Sequence, residues 1–231
     1  MSRVTFGSNE IYSGQAYHEG AFGGKRGVPR THLVAVQFAA ETTDADGIGV
    51  NLTATAAALL MSDATGVLVD DGVATFTVPG NVSITSTANN STRAFNLHGY
   101  DQYGVRVSEQ ITGPNNTTVY GKKGFKTIDI ISVNGAITGN VDIGRGTGLT
   151  LPYKIDSTSD VVVISLAGVY KGGTIVAGLT ASDASSATTA DVRGLITPTA
   201  ALAGGLYTVL MVVSDSSTRE AVYGNDQFAS A

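Results

Sequence analysis

The sequence predicts an all-β protein, in which an antiparallel β-sandwich or barrel-like body follows an extended N-terminal arm. In residues 93–111 apolar and polar side chains alternate on both sides of the Gly-rich segment 99–104, the pattern of a hairpin with one buried face. Turn signals recur about every ten residues, which is typical of sandwiches and barrels. Charged residues are only 14% of the 231 residues, and the Lys and Glu that decorate exposed helices are scarce.

Residues 1–30 predict the extended arm. They are polar and rich in Gly, without a helical period, but they contain four aromatic residues. Disordered tails usually lack aromatic residues, so an arm that docks on a neighbouring subunit or another partner is favoured over a mobile tail. The predicted partner-binding residues of the arm are Phe6, Tyr12, Tyr17, Phe22, Lys25, Arg26 and Arg30.

Residues 31–145 form the predicted β-sandwich-like body. The apolar run at 32–38 (HLVAVQF) indicates a buried strand, and residues 41–47 indicate a turn. Residues 53–61 (TATAAALLM) fit either a helix or a strand, because Ala and Leu favour the first while the alternation permits the second. The body therefore starts with one strand and one segment of undecided type.

Turn chemistry divides the rest of the body into short strands. The Asp-Asp-Gly segment at 70–72 predicts a hairpin turn, and the Pro-Gly pair at 79–80 predicts the end of a strand. The Gly-Lys-Lys-Gly segment at 121–124 predicts a turn between two paired strands. Besides the hairpin, strands are predicted at 67–69, 73–78, 82–87, 117–120, 125–133 and 141–143.

Residues 146–231 predict a second β lobe or a continuation of the same body. Residues 144–160 are rich in Gly, Thr and Ser and read as a connection or a long loop. The most hydrophobic strand, 207–213 (YTVLMVV), belongs in the core or at an interface. Further strands are predicted at 161–166, 174–176 and 191–196, with a loop at 181–190.

Composition and motifs argue against several classes of function. A net charge of −5 does not suit nucleic acid as the main partner, because phosphate binding needs concentrated Lys and Arg. No run of about 18 apolar residues is present, so no membrane-spanning helix is predicted. The absence of Cys excludes disulfides and thiolate zinc sites. No nucleophile elbow or phosphate-binding loop occurs, so we predict a protein that is not an enzyme and has no cofactor and no metal site.

Two features leave alternatives open. Acidic pairs at Asp44 and Asp46 and at Asp70 and Asp71 suit turns, but their carboxylates could also bind calcium. Tyr100 and Tyr103 at the hairpin tip are candidate partner-binding residues. They fit a tip that reads carbohydrate as well as a tip that packs against a neighbouring subunit.

Two segments resemble structural proteins of tailed bacteriophages. The first segment runs from about residue 82 to residue 144. From Asn81 onward it reads NVSITSTANNSTRAFNLHGYDQYGVRVSEQI followed by YGKKGFKTIDIISVNGAITGNVDIG, similar to a module with a GxDQxG-type hairpin and a Gly-Lys-x-Phe-Lys-Thr-Ile segment. Residues 191–229 resemble the ends of head decoration (cement) proteins. The insertion ANNSTRA before the hairpin departs from the tighter form of the module.

The resemblance implies a structural virion protein on the outer surface of a phage head, made in the host cytoplasm. Such a protein is mainly β and often a homotrimer, and it stabilises the capsid by clamping neighbouring major capsid subunits. The low charge of the chain agrees with a surface that is largely buried in an assembly. The alternative is a tail or fibre adhesin that binds host surface glycans through loop aromatics.

Overall fold

The computed structural model describes residues 31–61, 65–179 and 191–214, so the predicted arm and the predicted loop at 181–190 lie outside the described residues. The described residues are all-β, with 61% of them in the strands of antiparallel sheets, and this confirms the predicted fold class. A three-residue 3-10 helix (Thr158–Asp160) precedes β11. The first eight strands are β1 (Thr31–Ala39), β2 (Asp44–Leu52), β3 (Ala58–Leu59), β4 (Val69–Asp70), β5 (Val73–Asn89), β6 (Ala94–Tyr100), β7 (Arg106–Thr112) and β8 (Asn115–Tyr120). The others are β9 (Phe125–Val133), β10 (Val141–Leu149), β11 (Val161–Leu166), β12 (Val169–Tyr170), β13 (Gly173–Ala177), β14 (Gly194–Pro198) and β15 (Leu206–Ser214).

The larger sheet has eleven strands and curls into a half-barrel. Its main path runs β13-β14-β10-β5-β9-β6-β7, while β2 pairs with β10, β3 with β9, and β4 and β8 with β5. The concave side is filled by aliphatic and aromatic side chains that include Phe76, Ile84, Phe95 and Ile128, all 1% exposed or less. Burial of this apolar surface is the main source of stability for the half-barrel.

A smaller sheet with the order β1-β15-β11-β12 covers a second core. β1 and β15 come from opposite ends of the described chain and pair in unbroken register from Thr31 opposite Ser214 to Ala39 opposite Leu206. Tyr207, which is fully buried, stacks on Phe38 at a centroid distance of 5.8 Å. This core therefore combines the N-terminal strand with residues from the C-terminal third.

The predicted hairpin is confirmed as β6 and β7. The two strands pair from Ala94 opposite Thr112 to Tyr100 opposite Arg106 without a register shift. Phe95 and Val107 are fully buried, as expected for the apolar positions of a half-buried hairpin. The turn predicted at 70–72 is confirmed as well, between β4 and β5.

The strand end predicted at 79–80 is wrong, because Pro79 and Gly80 lie inside β5, which is 17 residues long. The register with β9 shifts between Thr75 and Gly80, which marks an irregularity where a proline is tolerated within a strand. Before this point β5 pairs with β9, and after it with β8. The predicted pairing of 117–120 with 125–133 is therefore also wrong: the turn at 121–124 carries the chain from one half of β5 to the other.

Three predictions near the start of the body also need correction. The strand at 32–38 exists but is buried on one face only: Val34, Val36 and Phe38 pack partly buried against the second core, whereas Leu33 on the other face is 62% exposed. The turn predicted at 41–47 is wrong from Asp44 onward, where β2 begins and pairs with β10. Residues 53–61 contain the short strand β3 and no α-helix.

The loop predicted at 144–160 is wrong for its first six residues, because β10 runs on to Leu149. The boundary placed between residues 145 and 146 falls inside this strand. Arg145 is fully buried there, with its Nε 2.9 Å from Glu41 Oε1 and its guanidinium over the Phe76 ring. Gly144 allows close packing of β10 against β2, and Gly146 and Gly148 lie close to the Asn81 side chain of β5, so these glycines do not mark a loop.

We expect Gly144→Ala to lower the free energy of unfolding by about 3 kcal/mol, the upper end of the usual cost of overpacking. A Cβ at this position would overlap the backbone carbonyl oxygen of Asp44, which β2 cannot move without losing its pairing. Denaturant unfolding measures the loss. Gly135→Ala is the matched control, because its Cβ would meet only the flexible Arg93 guanidinium at 3.1 Å. Equal stability of the two variants would contradict the prediction.

Candidate functional site

The tip of the β6–β7 hairpin, residues 101–105, is the predicted binding segment that the structure describes. The Asp101 carboxylate organises it, because Oδ1 accepts hydrogen bonds from the backbone N–H groups of Tyr103 at 2.8 Å and Val105 at 2.9 Å. Gly104 adopts a φ of +75°, which favours glycine. Asp101 is only 5% exposed, so the turn is built around a buried charge.

One side of this tip packs against the second core of the same chain. The Tyr103 hydroxyl donates to the Pro152 carbonyl oxygen at 2.8 Å, and the Gln102 amide donates to the Leu151 carbonyl oxygen at 3.1 Å. The guanidinium of Arg193 lies 4.7 Å from the centroid of the Tyr103 ring, a cation–π contact. Tyr103 thus has an intramolecular role in joining the two parts of the molecule.

The other candidate residues are placed differently. Tyr100 ends β6 and is half-buried, with the Arg106 guanidinium 5.9 Å from its ring centroid. Its cross-strand position opposite Arg106 explains this contact. The arm residues Phe6, Tyr12, Tyr17, Phe22, Lys25, Arg26 and Arg30 lie outside the described residues.

A group of buried charges surrounds the Tyr103 contact. Arg193 Nη1 lies 2.8 Å from Asp101 Oδ2, and both side chains are 5% exposed or less. Asp191 accepts hydrogen bonds from the backbone N–H groups of Arg193 at 2.8 Å and Gly124 at 2.9 Å. We call this group, with two further buried residues, the junction cluster: Asp101, Glu109, Lys123, Asp191 and Arg193.

Glu109 of β7 is a member of the junction cluster whose pKa is strongly shifted by its surroundings. Its two carboxylate oxygens accept hydrogen bonds from the backbone N–H groups of Lys122 at 2.5 Å and Lys123 at 3.3 Å. Burial raises the pKa of Glu109 to about 7, although these hydrogen bonds and the Lys123 charge oppose the rise. Burial also raises the pKa of Asp191.

The junction cluster was not predicted from the sequence, although one signal was present. Glu109 occurs two residues after Val107 and two before Ile111, so it shares the face of two apolar residues that are both buried. A carboxylate at such a position needs internal partners. The partners themselves come from loops remote in sequence. The cluster ties the hairpin, the turn at 121–124 and the segment before β14 into one unit.

The acidic pairs considered for calcium take part in local structure. The backbone N–H of Asp46 donates to Asp44 Oδ1 at 3.3 Å, and a side-chain hydrogen bond with Asp44 raises the pKa of Asp46. Asp71 and Gly72 adopt φ angles of 48° and 75°, as a two-residue hairpin turn requires. Within residues 31–61, 65–179 and 191–214, no three His, Asp or Glu side chains are grouped so as to hold a metal ion.

Comparison of the chain with models of protein families, with curated proteins and with solved structures returned no match. In the described part of the chain, no helix has the length and hydrophobicity that crossing a bilayer would require.

Proposed function

We propose that this protein decorates and stabilises the head of a tailed bacteriophage by clamping neighbouring major capsid subunits, as a homotrimer. The observation that carries the proposal is the resemblance of residues 82–144 to the module of phage structural proteins. In the fold these residues are the second half of β5 and strands β6 to β9 with the start of β10, which are neighbours in the half-barrel sheet. The resembling segment is therefore a coherent part of the body, with its own share of the core.

The packing of the body supports a mechanical role. A clamp must hold two subunits at a fixed separation, so its own parts should not move relative to each other. The junction cluster and the Tyr103–Pro152 hydrogen bond connect the two cores through buried, directional contacts. Such contacts resist the sliding that a purely apolar interface would allow.

The proposed mechanism is mass action. A surface shared between neighbouring capsid subunits exists only in the assembled lattice, so binding there favours the assembled state. A trimer holds three sites at high effective concentration, and modest individual contacts then suffice. The arm residues and Tyr100 are the proposed contacts with the capsid protein, since aromatic and Arg side chains commonly dominate interfaces.

We expect phage particles that lack the protein to release their DNA at a lower temperature than complete particles, because internal pressure loads the contacts that the clamp would reinforce. DNA release on a temperature ramp, followed with an intercalating dye, measures the difference. Purified protein added back to expanded heads should restore their DNA-release temperature. The same protein should bind poorly to unassembled capsid subunits.

The same particles test the alternative function. For an adhesin that binds host glycans, heads without the protein would be as robust as complete heads, while adsorption to cells would fail. Unchanged DNA release together with lost adsorption would overturn the decoration proposal. Copy number provides a second discriminator, because hundreds of copies per particle indicate the head, and a few dozen or fewer indicate the tail.

A further inference from the structure

The four-stranded sheet turns one face to the second core and the other to solvent. On β15, Tyr207, Val209 and Met211 are fully buried, and the intervening residues point the opposite way. The antiparallel register places Leu33 opposite Val212 and Ala35 opposite Leu210 on that second side. We call it the outer face, and its main apolar members are Leu33, Ala35, Tyr170, Leu206, Leu210 and Val212.

The outer face is mainly apolar and carries no formal charge, with one polar row formed by Gln37, Thr208 and Ser165. No Asp, Glu, Lys or Arg occurs in β1, β11, β12 or β15. Leu33 is 62% exposed, Tyr170 is 70% exposed and Leu206 is 51% exposed, although all three belong to strands. Contiguous exposed apolar surface of this kind marks an interaction site in a soluble protein, whereas isolated apolar residues do not.

The edge of the same sheet is also open. Within the described part of the chain β1 pairs with β15 only, so alternate residues of this nine-residue strand present backbone N–H and C=O groups on its other side. Proline, a charged side chain or a bulge usually protects such an edge. β1 has no proline or Asp, Glu, Lys or Arg, and its register with β15 is unbroken. An edge without these features suits pairing with another chain.

We infer that the outer face is the contact between copies of this chain, and that three copies turn it towards a common three-fold axis. This inference rests on the homotrimer of the proposed function and names the surface that would form it. The absence of charge makes the face self-complementary, because identical faces bring no like charges together.

The dimensions of the sheet allow three copies to pack around one axis. Four strands about 4.8 Å apart make a face roughly 19 Å wide, and three such faces around an axis stand about 5.5 Å from it. Packed sheets lie about 10 Å apart, so each contributes a side-chain layer of about 5 Å. One side-chain layer from each copy would therefore fill the three-sided space between the sheets.

In this arrangement the two middle strands, β15 and β11, lie nearest to the axis, and β1 of one copy meets β12 of the next. The contact is heterologous, and it closes after three repeats. Leu33 on β1 and Tyr170 on β12 are among the most exposed residues of the sheet, and they lie on its two outermost strands. The register places Tyr170 level with Gln37 of β1, so the two residues report on different heights of the same face. Each would lose its exposure in the trimer.

Light scattering coupled to size exclusion tests the inference with the full chain. We expect three times the chain mass of 23.6 kDa at micromolar concentration for the wild type, and the mass of one chain for Leu33→Glu and Tyr170→Glu. Val67→Glu is the matched control, because Val67 is 84% exposed, lies outside this sheet, and should leave the trimer intact. Circular dichroism establishes that each variant keeps its β structure.

A monomeric wild type, or trimers that persist in both face variants, would overturn the inference. Residues 1–30 are the competing occupant, and the absence of native Cys allows a clean test with Leu33→Cys. Slow thiol labelling of a monomer that becomes fast after deletion of residues 1–27 would assign the face to that segment and also overturn the inference. Binding of the same variants to heads is scored separately, so loss of the trimer and failure of the decoration proposal remain distinguishable.

Discussion

The Arg193→Met variant is expected to lose about 3–5 kcal/mol of unfolding free energy, because it leaves the buried Asp101 carboxylate without its cation. Arg193 Nη1 and Asp101 Oδ2 are 2.8 Å apart, and neither side chain is more than 5% exposed. The substitution also removes the cation–π contact with Tyr103. Met fills a similar volume, so the loss reports the unpaired charge more than a cavity.

Denaturant unfolding at neutral pH measures this effect. The matched control is Arg106→Met, which removes an exposed guanidinium 5.9 Å from the Tyr100 ring and should cost less than about 1 kcal/mol. In the double variant with Asp101→Asn, the amide oxygen can still accept from the backbone of the turn, while the uncompensated charge is gone. We therefore expect the double variant to be more stable than Arg193→Met alone. If the unfolding free energy of Arg193→Met were within about 1 kcal/mol of the wild-type value, the Arg193–Asp101 pair would not be what stabilises the junction cluster.

The second large effect is a pH dependence that Glu109→Gln should remove. The folded-state pKa of Glu109 is about 7, above its ordinary value of 4.5. Folding therefore favours the protonated acid, and the contribution of Glu109 is fully present below pH 4.5 and is lost as the pH rises through 7. The gap corresponds to about 3 kcal/mol. The raised pKa of Asp191 acts in the same direction.

Unfolding free energies between pH 4.5 and 8 test this prediction. We expect the wild type to become less stable as the pH rises, and Glu109→Gln to show a flatter profile and higher stability at pH 8. The Gln side chain is neutral throughout, and its amide oxygen can still accept from the backbone of the 121–124 turn. Gln110→Glu, which adds a carboxylate on the exposed neighbour, should keep the slope of the wild type. Parallel profiles for Glu109→Gln and the wild type would refute the assignment.

The function of the junction cluster gives these two effects a consequence beyond stability. If the body is a clamp, a weakened junction cluster should reduce the reinforcement of the capsid even where the contacts with the capsid protein are intact. Arg193→Met protein added to heads that lack the wild type should then bind but restore the DNA-release temperature incompletely. Tyr103, predicted as a partner-binding residue, would affect the clamp through the same joint, because its hydroxyl bonds to Pro152 within the chain.

The fold class and the local hairpins could be predicted because their causes lie within a few residues. Alternation in residues 93–111 specifies two strands with one buried face, and positive φ angles at Asp71 and Gly72 follow from a short turn that needs them. The strand end predicted at Pro79 and Gly80 was wrong, because a Pro-Gly pair usually terminates a strand. At this point the partner of β5 changes from β9 to β8, and the break in register between these pairings accommodates the proline.

The sequence by itself determined that this chain is all-β, where its central hairpin forms, and which apolar residues line that hairpin's buried face. Only the tertiary structure decided that β1 pairs with β15, that β1 has no second partner strand among the described residues, and that Glu109 meets the turn at 121–124. The physical reason is the distance along the chain over which the determining interactions act. Side-chain alternation and turn chemistry act between neighbours, whereas strand pairing and the satisfaction of a buried charge depend on groups that folding brings together from distant parts of the chain.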